Sequence, residues 1–256
     1  EFRYKEDGIH HLTPPNPYRR PEGMSEAQFC DHLVAEFEAL IARVGADRIG
    51  GFIAEPIQAS GGVIVPPEGY LRRMWEVCQR HDILFIADEV VTAFGRLGHW
   101  FASEAEFGVV PDMITCAKGL TSGYLPLGAL IFSDRIWEGM AAKGERWFTS
   151  GFTYSGHPVS CAAALKSIEI IEDEGLLENA ATVGDYFLDR LKGLEALPLV
   201  GQVRGRRLMV CVENVSDKST KEPLPDGVNE SKRISDAAEA MGKDVTRRHL
   251  QIGTET

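Results

Sequence analysis

Four apolar runs of strand length leave this chain few folds to choose from: residues 49–54 (IGGFIA), 83–87 (ILFIA), 113–116 (MITC) and 128–132 (GALIF). Between the first two, Pro66, Pro67 and Glu68 open a helix that carries Leu71, Trp75 and Cys78 on one side and runs to His81. Strand, helix and strand in that order default to a parallel pair with a right-handed connection. Upstream, Ser25 and Gln28 read as a capping box, and Phe29, Leu33, Phe37, Leu40 and Val44 mark a helical face that Gly45 ends. The expected fold class is therefore α/β, with a mostly parallel sheet whose ligand site lies beyond the carboxyl ends of its strands.

The flanking segments are less restrictive. Residues 13–23 (TPPNPYRRPEG) read as an extended entry loop. Residues 158–171 and 176–194 read as two long helices parted at Gly175. Residues 208–212 read as a strand, 213–227 as a polar loop, and 229–248 as an amphipathic helix. A change of pattern near Gly175 divides the chain into 1–174, a larger α/β unit, and 175–256, a smaller one.

Within the larger unit one lysine stands apart. From Met113 to Phe132 the only formally charged side chain is Lys118, set in "ITCAKGLTSG" just past an apolar run. Such an amine is expected where water is scarce, and desolvation favours its neutral, nucleophilic form. "ILFIADEV" places Asp88 and Glu89 just past the preceding strand. Either carboxylate could simply serve a turn. A nucleotide-hydrolysing site would need GxxxxGK[ST] upstream, and residues 1–87 contain none. A lysine, an aspartate and glycines at 119, 123 and 128 on one sheet edge suit a Schiff-base cofactor. There the lysine forms the imine, and the aspartate keeps a pyridine nitrogen protonated. "GFTYSGHPVS" adds the hydroxyls of Thr153, Tyr154 and Ser155 just before a helix start near Pro158. That is a phosphate site or a plain capping turn.

Composition narrows the partners. The net charge of −11 argues against a sequence-independent nucleic-acid binder, which needs a basic face. No apolar run approaches a membrane span, and the first seven residues are too charged for a secretory signal. Five scattered cysteines with no CxxC spacing read as buried free thiols in a reducing cytoplasm, and the histidines show no metal-ligand spacing. No metal site is expected.

Four stretches carry a resemblance: "FIAEPIQASGGVIVPPEGYL", "LFIADEVVTAFGRLGHWF", "PDMITCAKGLTSGYLPLGAL" and "FTYSGHPVSCAAAL". Together they resemble the class III pyridoxal-phosphate aminotransferases of fold type I, and more closely the omega-amino acid:pyruvate group. "VRGRRLMVCVE" looks like that family's small-domain strand. The resemblance implies a fold type I large domain, incomplete over 1–174, and part of a smaller α+β C-terminal domain over 175–256. It implies pyridoxal 5′-phosphate as cofactor, an amine or omega-amino acid as donor and a keto acid such as pyruvate as acceptor. It also implies a homodimer, or a tetramer built from it, in the cytoplasm. Lys118 would carry the internal aldimine and shuttle the proton. Asp88 would pair with the pyridine nitrogen, and Val90 would pack on the ring. Thr153, with the Phe152 backbone close by, would reach the phosphate of the neighbouring subunit's cofactor. Glu55 would lie near the substrate, and Arg96 would order its own loop.

There are departures from the family pattern. Val91 stands where several relatives have glutamine, and Arg207 stands where glycine is usual. No segment matches the family's phosphate loop or its C-terminal arginine, so the chain is expected to be the middle and later portion of a longer enzyme. Other fold type I enzymes (aminomutase, racemase, decarboxylase) and a non-catalytic fragment remain as alternatives. The amine donor and its stereochemistry are left open.

Overall fold

A computed structural model describes residues 8–142, 151–225 and 227–241. The first helix, α1 (Glu26–Val44), starts at the expected capping box, with Ser25 and Gln28 exchanging both bonds, and stops at Gly45. Strand β1 (Gly51–Ala54) follows, then α2 (Tyr70–Arg80) and β2 (Leu84–Asp88). The helix begins at Tyr70 rather than at the two prolines, because Gly69 in the left-handed region forms its N-cap. Next come α3 (Ala102–Phe107), β3 (Met113–Cys116) and β4 (Ala129–Phe132).

The four strands make one sheet in the order β1-β2-β3-β4. The first two pairings are parallel, and β4 runs antiparallel to β3. Period-2 alternation sends Phe85 and Ala87 to a face covered by α1 and α2, where Phe29, Leu33, Phe37, Leu71, Met74 and Val77 close the core. The Phe52 ring bridges Phe37 and Phe85, at 5.0 and 5.4 Å between centroids. An apolar run such as residues 49–54 is expected to form a short buried strand, and here the strand is not buried. Strand β1 lies at the sheet edge with Ile53 59% exposed, because among the described residues nothing pairs with its outer side.

After α4 (Asp134–Ala141), the helices α5 (Pro158–Asp173) and α6 (Leu176–Lys192) are parted by Gly175, which is left-handed as the sequence suggests. A second sheet is the hairpin β5 (Val200–Arg206) with β6 (Met209–Asn214). The sequence leads one to expect a single strand at 208–212. Strand β5 escapes that expectation because glycines and arginines break its apolar alternation, and the supposed polar loop begins with the last two residues of β6. Helix α7 (Glu230–Ala240) occupies the start of the expected 229–248 helix and is capped at Met241, and residues 242–248 lie outside the described residues.

The hairpin is seated on the first unit. Met209 joins Ile57, Leu97 and Ala102 in a small buried cluster. Arg204 Nε donates to Gly62 O at 2.8 Å, and Arg206 pairs with Glu106 at 2.7 Å. Near the other chain end, Arg19 pairs with Glu213, and Lys221 Nζ donates to Tyr18 O at 2.7 Å while lying 5.0 Å from the Tyr18 ring centroid. These contacts form a clasp between the start of the described chain and the loop after β6.

Candidate active site

Three ionisable residues follow three consecutive elements of the sheet. Glu55 comes directly after β1, Asp88 ends β2, and Lys118 lies two residues beyond β3. Their common position at the carboxyl edge comes from the parallel register, which sets Ala54 beside Ala87 and Asp88 beside Thr115. Burial raises the Glu55 carboxyl above its usual range; an N–H bond from Ala59 at 2.9 Å opposes the rise. The Asp88 charge adds to the rise and the Lys118 charge works against it, so all three groups lie within electrostatic reach.

Asp88 is half-buried. Its Oδ1 accepts two bonds, from Val90 N at 3.1 Å and from Thr115 Oγ1 at 3.2 Å. Among the described residues nothing donates to Oδ2. Glu89 is different: it is fully buried and takes four bonds, from Thr92 Oγ1, Ala102 N, Ser103 N and Ser103 Oγ. It caps α3 and closes the 90–101 loop. Of the two carboxylates, Asp88 is thus the one open to a ligand.

Lys118 departs from expectation. It is exposed rather than enclosed, and it opens a short 3-10 turn with φ +43°, in the left-handed region. Helix α5 reaches this turn through Ser167, whose Oγ lies 2.9 Å from Ser122 Oγ, and leaves the amine exposed. Gly119 makes the turn possible. A Cβ there would lie 2.9 Å from Phe94 Cβ, so the Asp88 loop and the Lys118 loop touch only because this position is bare. Lys118, Thr121, Tyr124 and Leu125 line an open cavity of ≈ 380 Å³.

The other expected residues fall into two groups. Val90 and Val91 are half-buried in the loop after β2, beside Asp88. Arg96 donates to Val91 O at 2.8 Å, which is the loop-ordering role expected of it. Phe152 and Thr153 are exposed, Phe152 by 84%, in the turn before α5. That turn is closed by a Phe152 N bond to Ser155 Oγ at 2.9 Å, while His157 and Pro158 begin the helix. Among the described residues, no hydrogen bond or ion pair joins Thr153 to Lys118 of the same chain. Thr115 was missed by sequence reasoning. Only the strand register identifies it, and nothing in "MITC" sets it apart. All five cysteines are free, and no cluster of metal-ligating side chains occurs among the described residues. No described helix is long and apolar enough to cross a membrane.

Comparison with known proteins gives a consistent picture. A family model described as class-III aminotransferase matches residues 2–247. The chain is 41% identical over 251 residues to a diaminobutyrate–2-oxoglutarate transaminase of Halomonas elongata, covering 96% of this chain and 53% of that protein. It is 43% identical over 220 residues to a putrescine–pyruvate aminotransferase of Pseudomonas aeruginosa, covering 86% and 48%. Among solved structures, a thermostable (S)-enantioselective omega-transaminase from Thermomicrobium roseum superposes with TM-score 0.89 at 42% identity, over 98% of this chain and 59% of that one. An amine transaminase from an uncultivated Pseudomonas species, described as PLP-bound, gives TM-score 0.89 at 43% identity, over 96% and 56%. The chain spans about half the length of the curated relatives it matches.

Proposed function

The chain belongs to the class III aminotransferases, and from that membership we propose that the protein carrying it transfers an amino group from an amine or omega-amino acid to a keto acid such as pyruvate, with pyridoxal phosphate as cofactor. The observation that carries this reading is the placement of Glu55, Asp88 and Lys118 at one sheet edge, close enough for both other charges to act on Glu55.

The residues present fit the cofactor. The Lys118 amine is accessible, one Asp88 oxygen is unengaged by the described residues, and an open cavity adjoins the lysine. Bound pyridoxal phosphate would supply a ring that accepts electron density from the substrate's Cα. Asp88 would hold a proton at the pyridine nitrogen. Val90 would bear on the ring face. Lys118 Nζ would hold the cofactor and, once released by substrate, take and return the proton at Cα. Glu55, with its raised carboxyl, would face the substrate. Its partial burial makes it a group that prefers either a proton or a cationic partner.

Phe152 and Thr153 are assigned to the phosphate of a second copy's cofactor. Their exposure in the turn before α5 supports this, as does the exposure of Tyr154, at 79%. The working assembly would then be a homodimer. The division into 1–174 and 175–256 is supported by left-handed Gly175 and by α6 packing on the hairpin.

The protein made from the complete reading frame, loaded with cofactor, tests the proposal. Adding an amine should shift the cofactor's absorption, and a keto acid should restore it. A spectrum that an amine shifts but no keto acid restores would sink transamination, leaving decarboxylase or racemase chemistry.

A further inference from the structure

Asp88 is a carboxylate whose terminal torsion has broad, roughly two-fold preferences, so its two oxygens would ordinarily exchange places. Here they are not equivalent. Oδ1 accepts from Val90 N two residues on, an Asx-type turn, and from Thr115 Oγ1 on the neighbouring strand. The Thr115 hydroxyl is not needed for the sheet ladder. The Thr115 backbone already stands in register beside Asp88, and its carbonyl accepts Glu89 N at 2.9 Å. The hydroxyl's recorded bond goes to the carboxylate.

We propose that Thr115 is a positioning residue: its hydroxyl, together with the Val90 N–H, engages Asp88 Oδ1 so that Oδ2 is the oxygen offered to the cofactor's ring nitrogen. This rests on the reading of Asp88 given above. Two donors on one oxygen pin the carboxylate plane from two directions, one on its own loop and one across the strand pair. Either donor alone leaves the group free to turn about the other. The arrangement also couples the sheet to the site, since a slip of β3 against β2 would carry the hydroxyl away from Oδ1.

Thr115→Val keeps the β-branched shape and removes only the donor, Thr115→Ala removes both, and Thr115→Ser keeps the donor. Each is to be made in the complete reading frame, beside Asp88→Asn. Four quantities are measured: the melting temperature, the cofactor retained on gel filtration, the 15N shift of ring-labelled cofactor, and kcat and KM for an amine donor. Val and Ala should lower kcat about tenfold with KM within about twofold, and should move the ring-nitrogen signal toward the unprotonated form. Ser should return both to within about threefold of wild type. If Val does not fold, the Ala and Ser pair decides. Val and Ala at wild-type kcat and shift, with Asp88→Asn impaired, would overturn the role of Thr115 and leave Asp88 standing. A Ser variant as poor as Val would assign the position to packing and overturn it equally. An Asp88→Asn protein with wild-type kcat and shift would remove the reading of Asp88, and this proposal with it.

Discussion

Glu89 takes four hydrogen bonds with no exposed surface, whereas Asp88 beside it takes two on a single oxygen. Their substitutions should separate accordingly. Asp88→Asn is expected to lower the transamination rate about a hundredfold or more while leaving the melting temperature nearly unchanged, since a charge-assisted bond is lost where charge develops. Glu89→Gln places an amide N–H against buried donors and should cost about 2–4 kcal/mol of stability, read by urea unfolding. Glu55 adds a pH signature. Its carboxyl is raised by burial, so the folded state favours the protonated form; that stability is present below the unfolded value and is lost as pH rises through the raised one. Glu55→Gln keeps an acceptor for Ala59 N. The variant should match wild type in melting temperature at the acid end and exceed it increasingly toward neutrality. Equal pH profiles would contradict this. Lys118 and Asp88 could be found in the sequence because each follows an apolar run, whereas Glu55 was expected only from the family resemblance of its segment. The exposure of Lys118 could not, because it depends on what packs over the turn.

Helix α6 approaches the hairpin most tightly at a bare position, Gly184. A Cβ on Gly184 would lie 2.5 Å from the Arg207 carbonyl carbon, so the helix rests directly on the backbone of the β5–β6 turn. Gly184→Ala is expected to cost about 1–3 kcal/mol by denaturant unfolding, because backbone cannot move aside as a flexible side chain can. Arg207 holds that turn at φ +53°, and its side chain pairs with Asp185, which is itself largely exposed. Left-handed backbone costs a non-glycine residue roughly 1–2 kcal/mol, and an exposed pair returns about 0–1. Arg207→Gly should therefore be neutral or stabilising by up to about 1 kcal/mol. Among the elements, α1 was legible through its cap and apolar face, and α5 and α6 through Gly175. Strand β5 was not, because Gly201 and Gly205, where close neighbours leave no room for a Cβ, interrupt the apolar alternation, and only the ladder with β6 identifies it as a strand. The antiparallel direction of β4 depends on the path that residues 117–128 take from β3, a matter of tertiary geometry that composition does not encode.

Large apolar side chains stand exposed at Tyr124, which lines the cavity beside Lys118, and at Phe152, Tyr154, Val159 and Leu165 in the turn before α5 and on α5, all more than half exposed. Such a surface suits an interface between copies. If the site is shared, Lys118→Ala chains and Thr153→Ala chains, each inactive alone, should regain activity in verified mixed dimers, since one composite site is then intact. No recovery would mean that each chain holds its own site. The clasp at the opposite end of the chain has a consequence for synthesis. Arg19 and Glu213 are 194 positions apart. At about 5–20 residues per second, a ribosome releases the second partner roughly 10–40 s after the first. For that interval Arg19 lacks its partner, so the Tyr18–Arg19 turn closes only after residue 213 is made, and a nascent protein stalled before that point should remain open to protease there.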